Sequence, residues 1–151
     1  MAIPSNAVVE YFGTQAVLGT TSATISNDSF STSSDLAFWT NTDNAPSASV
    51  TLACTFLANP STFNYINLYA RLLDVQGTND NVISDAGLLH SYVGQFPVDN
   101  TSAAQYITID IRLPNAGPSQ KYEFYLSNKA GQSVSAGWDL FVTPKTLGPK
   151  V

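Results

Sequence analysis

The sequence is short of the residues that most chemistry requires. It has one cysteine, Cys54, and one histidine, His90. A single cysteine makes no intrachain disulfide and cannot alone hold zinc. A single histidine, with no Gly-x-Ser-x-Gly elbow in the chain, leaves nucleophilic catalysis without its usual frame, and His90 reads as an ordinary strand histidine. Charge is equally scarce, at 11% of residues where about 25% is usual. Glutamate occurs only as Glu10 and Glu123, so the paired acids of a glycosidase have few candidates. Asp110 and Asp139 are the mid-strand acids, and Asp110 alternates with Arg112, which predicts a solvated cross-strand ion pair. Six Lys and Arg against eleven acids leave a net charge of -5. That balance offers no electrostatic footprint for nucleic acid or an anionic membrane. The N-terminal MAIPSNAVVEYFG has neither a basic region nor a long apolar run, so synthesis in a cytoplasm without a secretory signal is expected. The sequons at Asn27 and Asn100 are read as chance matches.

What the chain does contain points to strands. Ser, Thr, Asn and Gln make up about a third of it, hydrophobic residues 44% and aromatics 11%. The acids are nine Asp against two Glu, a skew toward the side chain that bonds its own backbone in turns. β-branched and aromatic residues with few Lys and Glu exclude a helix bundle, and 151 residues bound the chain to one domain.

Period-2 alternation then marks individual strands. In 47–56, Val50, Leu52, Cys54 and Phe56 share one face. In 65–75 it is Ile66, Leu68 and Leu72, with Ala70. Residues 88–96 form a strand interrupted by glycine. In 105–113 the inward set is Ile107, Ile109, Ile111 and Leu113; in 121–127 it is Tyr122, Phe124 and Leu126. A last strand near 133–143 points Trp138 and Leu140 inward. These residues make the predicted core, where Cys54 acts as a small hydrophobe. About eight strands without intervening helices predict an antiparallel two-sheet sandwich, for which jelly-roll and immunoglobulin-like orders are both open. The missing Cys…Trp…Cys spacing weighs against the latter.

Residues 1–45 differ in texture. Ile3, Val8, Val9, Tyr11 and Phe12 are apolar anchors on a stretch punctuated by Gly13 and Gly19. The polar run 20–35 has Phe30 as its bulky anchor, and Leu36–Trp39 forms a short strand or docking segment. Such a segment cannot fold alone, so 1–45 is expected to be an extended arm with short strands, 46–145 the sandwich, and 146–151 an extended, unpaired tail. The arm residues around Val8–Phe12 are expected to order on a neighbouring subunit, and Phe30 and Trp39 join the predicted interface.

Asp74, Asn79, Asp80, Asn81 and Asp85 gather oxygen donors in one loop, but without EF-hand order or a bidentate Glu they read as a polar turn. Tyr65, Tyr69, Tyr106, Tyr125 and Phe141 face away from the apolar stripes, so either that side is also covered or the rings form a binding surface. No catalytic group, cofactor or metal is expected.

A Ser/Thr-rich N-terminal segment, a short sandwich carrying SASVTLACTF, QYITIDIRLP and AGWDLFVTPK, and a proline-containing tail together resemble the cement or decoration proteins of tailed-bacteriophage capsids. The resemblance covers Ser47 to Lys145. It implies a jelly-roll-like fold, a place on the capsid exterior, the major capsid protein as partner, and self-association as a dimer or trimer. The rival expectation is a carbohydrate-binding module that stacks sugars on exposed tyrosines and Trp39.

Overall fold

The computed structural model describes residues 7–19, 22–32, 34–61, 64–74, 92–114 and 117–149. Nine strands occur in chain order: β1 (Val8–Phe12), β2 (Ala16–Val17), β3 (Trp39–Asn41), β4 (Ser47–Cys54), β5 (Tyr65–Leu73), β6 (Tyr92–Pro97), β7 (Gln105–Arg112), β8 (Gln120–Lys129) and β9 (Asp139–Pro149). No helix occurs among the described residues.

One sheet runs β1-β9-β4-β7, with β2 also paired to β9, and the other runs β3-β8-β5-β6. Every pairing is antiparallel. The partners nest: β5 with β6, β4 with β7, β3 with β8, and β1 and β2 with β9. The chain is therefore one long antiparallel ribbon, doubled at its middle and rolled so that successive pairs alternate between sheets. The β4–β9 and β5–β8 contacts close the roll. This is the jelly-roll strand order.

The core lies between the sheets and follows the predicted register. Ala48, Val50, Leu52 and Cys54 from β4 meet Ile66, Leu68, Ala70 and Leu72 from β5, with Tyr122, Phe124, Leu126, Trp138, Leu140 and Val142. Two predicted core residues differ. Ile107 and Ile109 are only partly buried, because β7 is the last strand of its sheet and has a neighbour on one side only. Ile109 instead lies against Gly94 of β6, where an added Cβ would come within 2.6 Å of its Cδ1. The glycine that interrupts the strand pattern is thus the place where the two sheets meet along one edge.

The tail expectation is overturned. Thr143 to Pro149 continue β9, which pairs with β1 from Val8↔Pro149 to Phe12↔Lys145. Proline is tolerated because of where each missing N–H falls. The Gly13 N–H donates to the Pro144 carbonyl at 2.8 Å, and the N and O of one residue face the same side of a strand. The absent donor of Pro144 therefore points at the break between β1 and β2. That of Pro149 points away from β1, beyond the last β4–β9 pair at Lys145.

The described residues of 18–45 are built into the sandwich. Leu18, Ile25, Leu36, Trp39 and Ala45 belong to the core. The polar run is held by side-chain to backbone bonds. Asp35 accepts from the N–H groups of Ala23 and Thr32. Asn128 donates to the carbonyls of Ile25 and Gln132 and accepts from the Ala130 N–H. The Trp138 indole N–H donates to the Ala23 carbonyl at 2.8 Å. A run too polar to make its own core is ordered by another, and its deepest anchor is Ile25 rather than Phe30.

Candidate functional site

The outward faces of the two sheets are unlike, which resolves the alternatives posed by the outward aromatics. On the four-stranded sheet, Glu123, Tyr125 and Ser127 of β8 are buried as well as their inward neighbours. Phe30 packs on Tyr69 at 5.5 Å, and Tyr69 meets Tyr92 edge-on at 5.7 Å. Tyr65 and Tyr69 are half-buried. Arg71 and Glu123 sit directly opposite and form an ion pair. Over β8 this face is covered, while Tyr92 at the β6 edge stays exposed.

The five-stranded sheet has an open outer face. Alternation in β9 turns Leu140, Val142 and Pro144 inward and Phe141, Thr143, Lys145, Leu147 and Pro149 outward. Pairing with β1 places Val8 beside Pro149, Glu10 beside Leu147 and Phe12 beside Lys145. Val8, Phe12 and Leu147 are 69%, 62% and 68% exposed. Together they make an apolar corner around Glu10, on the terminal strand β1 and the adjoining end of β9. Val17 extends it along β9, opposite Phe141.

A polar strap crosses the same face. The Lys145 ammonium lies 3.1 Å from Glu10 Oε2 on β1 and 3.0 Å from Asp110 Oδ2 on β7. Ser49 of β4 donates to the other Asp110 oxygen at 2.5 Å. Glu10, Lys145, Ser49 and Asp110 therefore link all four positions of the sheet, and the Phe12 ring lies 5.4 Å from the Lys145 ammonium. The Ser49 bond, followed by the Lys145 bond, holds the Asp110 carboxyl below the usual carboxylate range. The bond to Asp110, then that to Glu10, raises the Lys145 ammonium. The expected partnership of Asp110 with Arg112 is replaced by this one: Lys145 reaches Asp110 across β4.

The sequence-predicted interface residues separate. Val8, Tyr11 and Phe12 are exposed on β1, and Val9 is half-buried. The Tyr11 hydroxyl donates to the Pro149 carbonyl at 2.7 Å, tying the two strand ends. Phe30 lies on the other sheet's outer face. Trp39 is a correction: it is buried and stacks on its cross-strand partner Tyr122 at 5.6 Å, so it meets neither a partner chain nor a sugar. Ile3, His90 and the loop residues Asn79 to Asp85 lie outside the described residues. Asp74, the one described member of that loop, pairs with Lys121 at 2.9 Å.

Sequence reasoning missed Lys145, Leu147 and Pro149. Their signal was the continued period of two from Phe141, hidden by the two prolines.

The described acids and Cys54 have these settings. Glu10 and Glu123 lie on opposite sheets, each facing a cation. Burial pushes the Cys54 thiol up to about 11. Among the described residues no three His, Cys, Asp or Glu side chains converge. A hollow beside Tyr106, lined by Ala53, Thr55, Ala104 and Gly137, holds about 130 Å³, below the roughly 300–1,000 Å³ of ligand pockets. Comparison with family models, curated proteins and solved structures returns no match.

Proposed function

We propose that this protein is a non-enzymatic structural component of a virion, seated on the exterior of a bacteriophage capsid and stabilising contacts between major capsid subunits. The observation that carries the reading is the apolar corner of Val8, Phe12 and Leu147 on an open sheet edge. An exposed apolar edge strand is a hazard for a solitary protein and a docking surface for an assembled one. The jelly-roll order supports the reading, since capsid proteins use it, although lectin-type domains do too. Self-association as a dimer or trimer belongs to the same proposal. So does synthesis in the host cytoplasm before capsid binding.

Nucleic acid and membrane are poor partners. Of six Lys and Arg, Arg71, Lys121, Lys129 and Lys145 already face carboxylates, which leaves little free positive charge for phosphate.

One observation favours a carbohydrate-binding alternative. Tyr106 is 75% exposed beside the small hollow, and an open aromatic face suits sugar stacking. Incubating the protein with expanded, undecorated capsids and with a glycan panel separates the two. Saturable capsid uptake at fixed stoichiometry is expected. A glycan hit abolished by Tyr106→Ala, without capsid uptake, refutes the capsid reading.

A further inference from the structure

The apolar corner borders a hydrogen-bonding edge that no described strand fills, and its chemistry narrows the kind of strand it accepts. The Gly13 N–H faces β9, so by alternation Val9 and Tyr11 also face β9, while the N–H and C=O groups of Val8, Glu10 and Phe12 face outward from the edge. No described strand lies beyond β1. The same three residues point their side chains to the outer face, beside Leu147 and Lys145. A strand added here would therefore bond to Val8, Glu10 and Phe12 and meet their side chains.

Glu10 is the selective element. Two carboxylates, Glu10 and Asp110, share the single Lys145 ammonium, so this cluster keeps one negative charge in a chain of net charge -5. A second copy is a poor occupant. Antiparallel pairing of two β1 strands in full register sets Val8 against Phe12 but Glu10 against Glu10, and like charges directly opposite are destabilising.

We propose that the free edge of β1 receives an extended strand from a different protein chain, with apolar side chains against Val8 and Phe12 and a lysine or arginine against Glu10. This rests on the capsid reading for the identity of the partner, and it deepens that reading by stating the chemistry of the docking strand. Main-chain bonds would supply the docking and alternate side chains the choice of partner. Glu10 then has two effects through one charge: it discourages self-pairing of the edge and favours a basic guest.

The test uses the full chain and fluorescent seven-residue peptides read by anisotropy. The probe is Thr-Val-Thr-Lys-Thr-Val-Thr with blocked ends. Two controls replace its Lys by Glu or N-methylate the Lys amide. The Lys peptide should bind at least about fivefold tighter than the Glu peptide, and N-methylation should abolish binding. Glu10→Lys should reverse the preference, and Glu10→Gln, which leaves Lys145 its bond to Asp110, should erase it. No binding of either peptide at about 1 mM, or a preference that survives in Glu10→Gln, overturns the proposal.

A wild-type dimer in sedimentation equilibrium that Glu10→Pro abolishes also overturns it, because a second copy would then fill the edge. That proline removes an edge-facing donor together with the Glu10 carboxylate, whose loss would by itself ease self-pairing, and leaves the donors that face β9 in place. Capsid uptake measured on the same variants keeps the two readings apart. Peptide discrimination without capsid uptake sinks the capsid reading alone. Capsid uptake indifferent to Glu10→Lys, with no peptide binding, sinks the strand proposal alone.

Discussion

Replacing Ile25 by alanine tests whether the polar run 20–35 belongs to the folded sandwich. Ile25 is almost wholly buried, forms an isolated bridge to Val134, and offers its carbonyl to the Asn128 side chain. Truncation removes three carbons at roughly 0.8 kcal/mol each, or about 2.4 kcal/mol. The cavity left behind adds to this, since the flanking backbone is pinned by its bonds to Val134, which brings the loss to about 3 kcal/mol. For a chain of this size that corresponds to a fall in Tm of about 6–12 °C. Urea unfolding followed by tryptophan fluorescence suits the measurement, because Trp138 bonds the Ala23 carbonyl two residues away and senses the docking directly. The midpoint should move with the slope unchanged. Thr24→Ala, at an exposed position in the same run, should shift stability by less than about 0.5 kcal/mol. If Ile25→Ala is as mild as Thr24→Ala, the run is a loose arm and the reasoning fails.

Asn128→Ala should cost about 2–3 kcal/mol in the same assay, because the buried N–H of Ala130 and the carbonyl of Gln132 lose their side-chain partner, while the Ile25 carbonyl keeps only the Val134 N–H; a neutral result would show that water replaces the amide. Gly94→Ala should destabilise by about 1 kcal/mol through the contact with Ile109 Cδ1, and Ile109→Val should relieve part of that loss; strictly additive variants would contradict the contact. Stability should also report the strap across the outer face. The Asp110 carboxyl is held low when folded, so its contribution is complete above about pH 3.9 and fades as pH falls through the folded value. The Lys145 ammonium is raised, so its contribution is complete below about pH 10.4 and fades as pH rises through the folded value. Asp110→Asn should flatten the acid limb of a melting-temperature profile, and an unchanged limb would remove Asp110 from the account. Finally, the Cys54 thiol, pushed up to about 11 in the core, should resist Ellman's reagent at pH 8 until the protein unfolds; prompt labelling would place it at the surface.

The surface proposed for docking depends on an asymmetry between two sheets made from similar strands. Tyr125 of β8 and Phe141 of β9 occupy equivalent outward positions in their alternating patterns. The first is buried and the second only half-buried. What differs is the cover. On the four-stranded sheet, the segment Asp28–Ser31 bonds to Leu126 and Asn128 of β8 and carries Phe30 onto Tyr69. Among the described residues the corner of β1 and β9 has no such layer, and Val8, Phe12 and Leu147 stay open.

Sequence alone determined the strands and their inward faces, because a two-residue period is local physics: successive side chains point to opposite sides wherever the chain is extended. Thus Val50, Leu52, Ile66, Leu68, Phe124 and Leu140 are buried as their alternation requires. It also determined the all-β class, through abundant β-branched and aromatic residues and few Glu and Lys. Tertiary structure decided which strands lie side by side, and with that everything that depends on position within a sheet. Ile109 has the same local pattern as Val50 but sits on a terminal strand, so half of its cover is missing. Pro144 and Pro149 predict an unpaired tail, yet their absent donors fall where no ladder bond is available, so β9 runs on to meet β1. Asp110 and Arg112 share a strand face, but it is Lys145, reaching across β4, that pairs with Asp110. The described residues of the polar run 20–35 are held through Asp35, Asn128 and Trp138, partners up to 115 residues apart in sequence. Contacts between distant segments are set by how the ribbon rolls, and no local period carries that information.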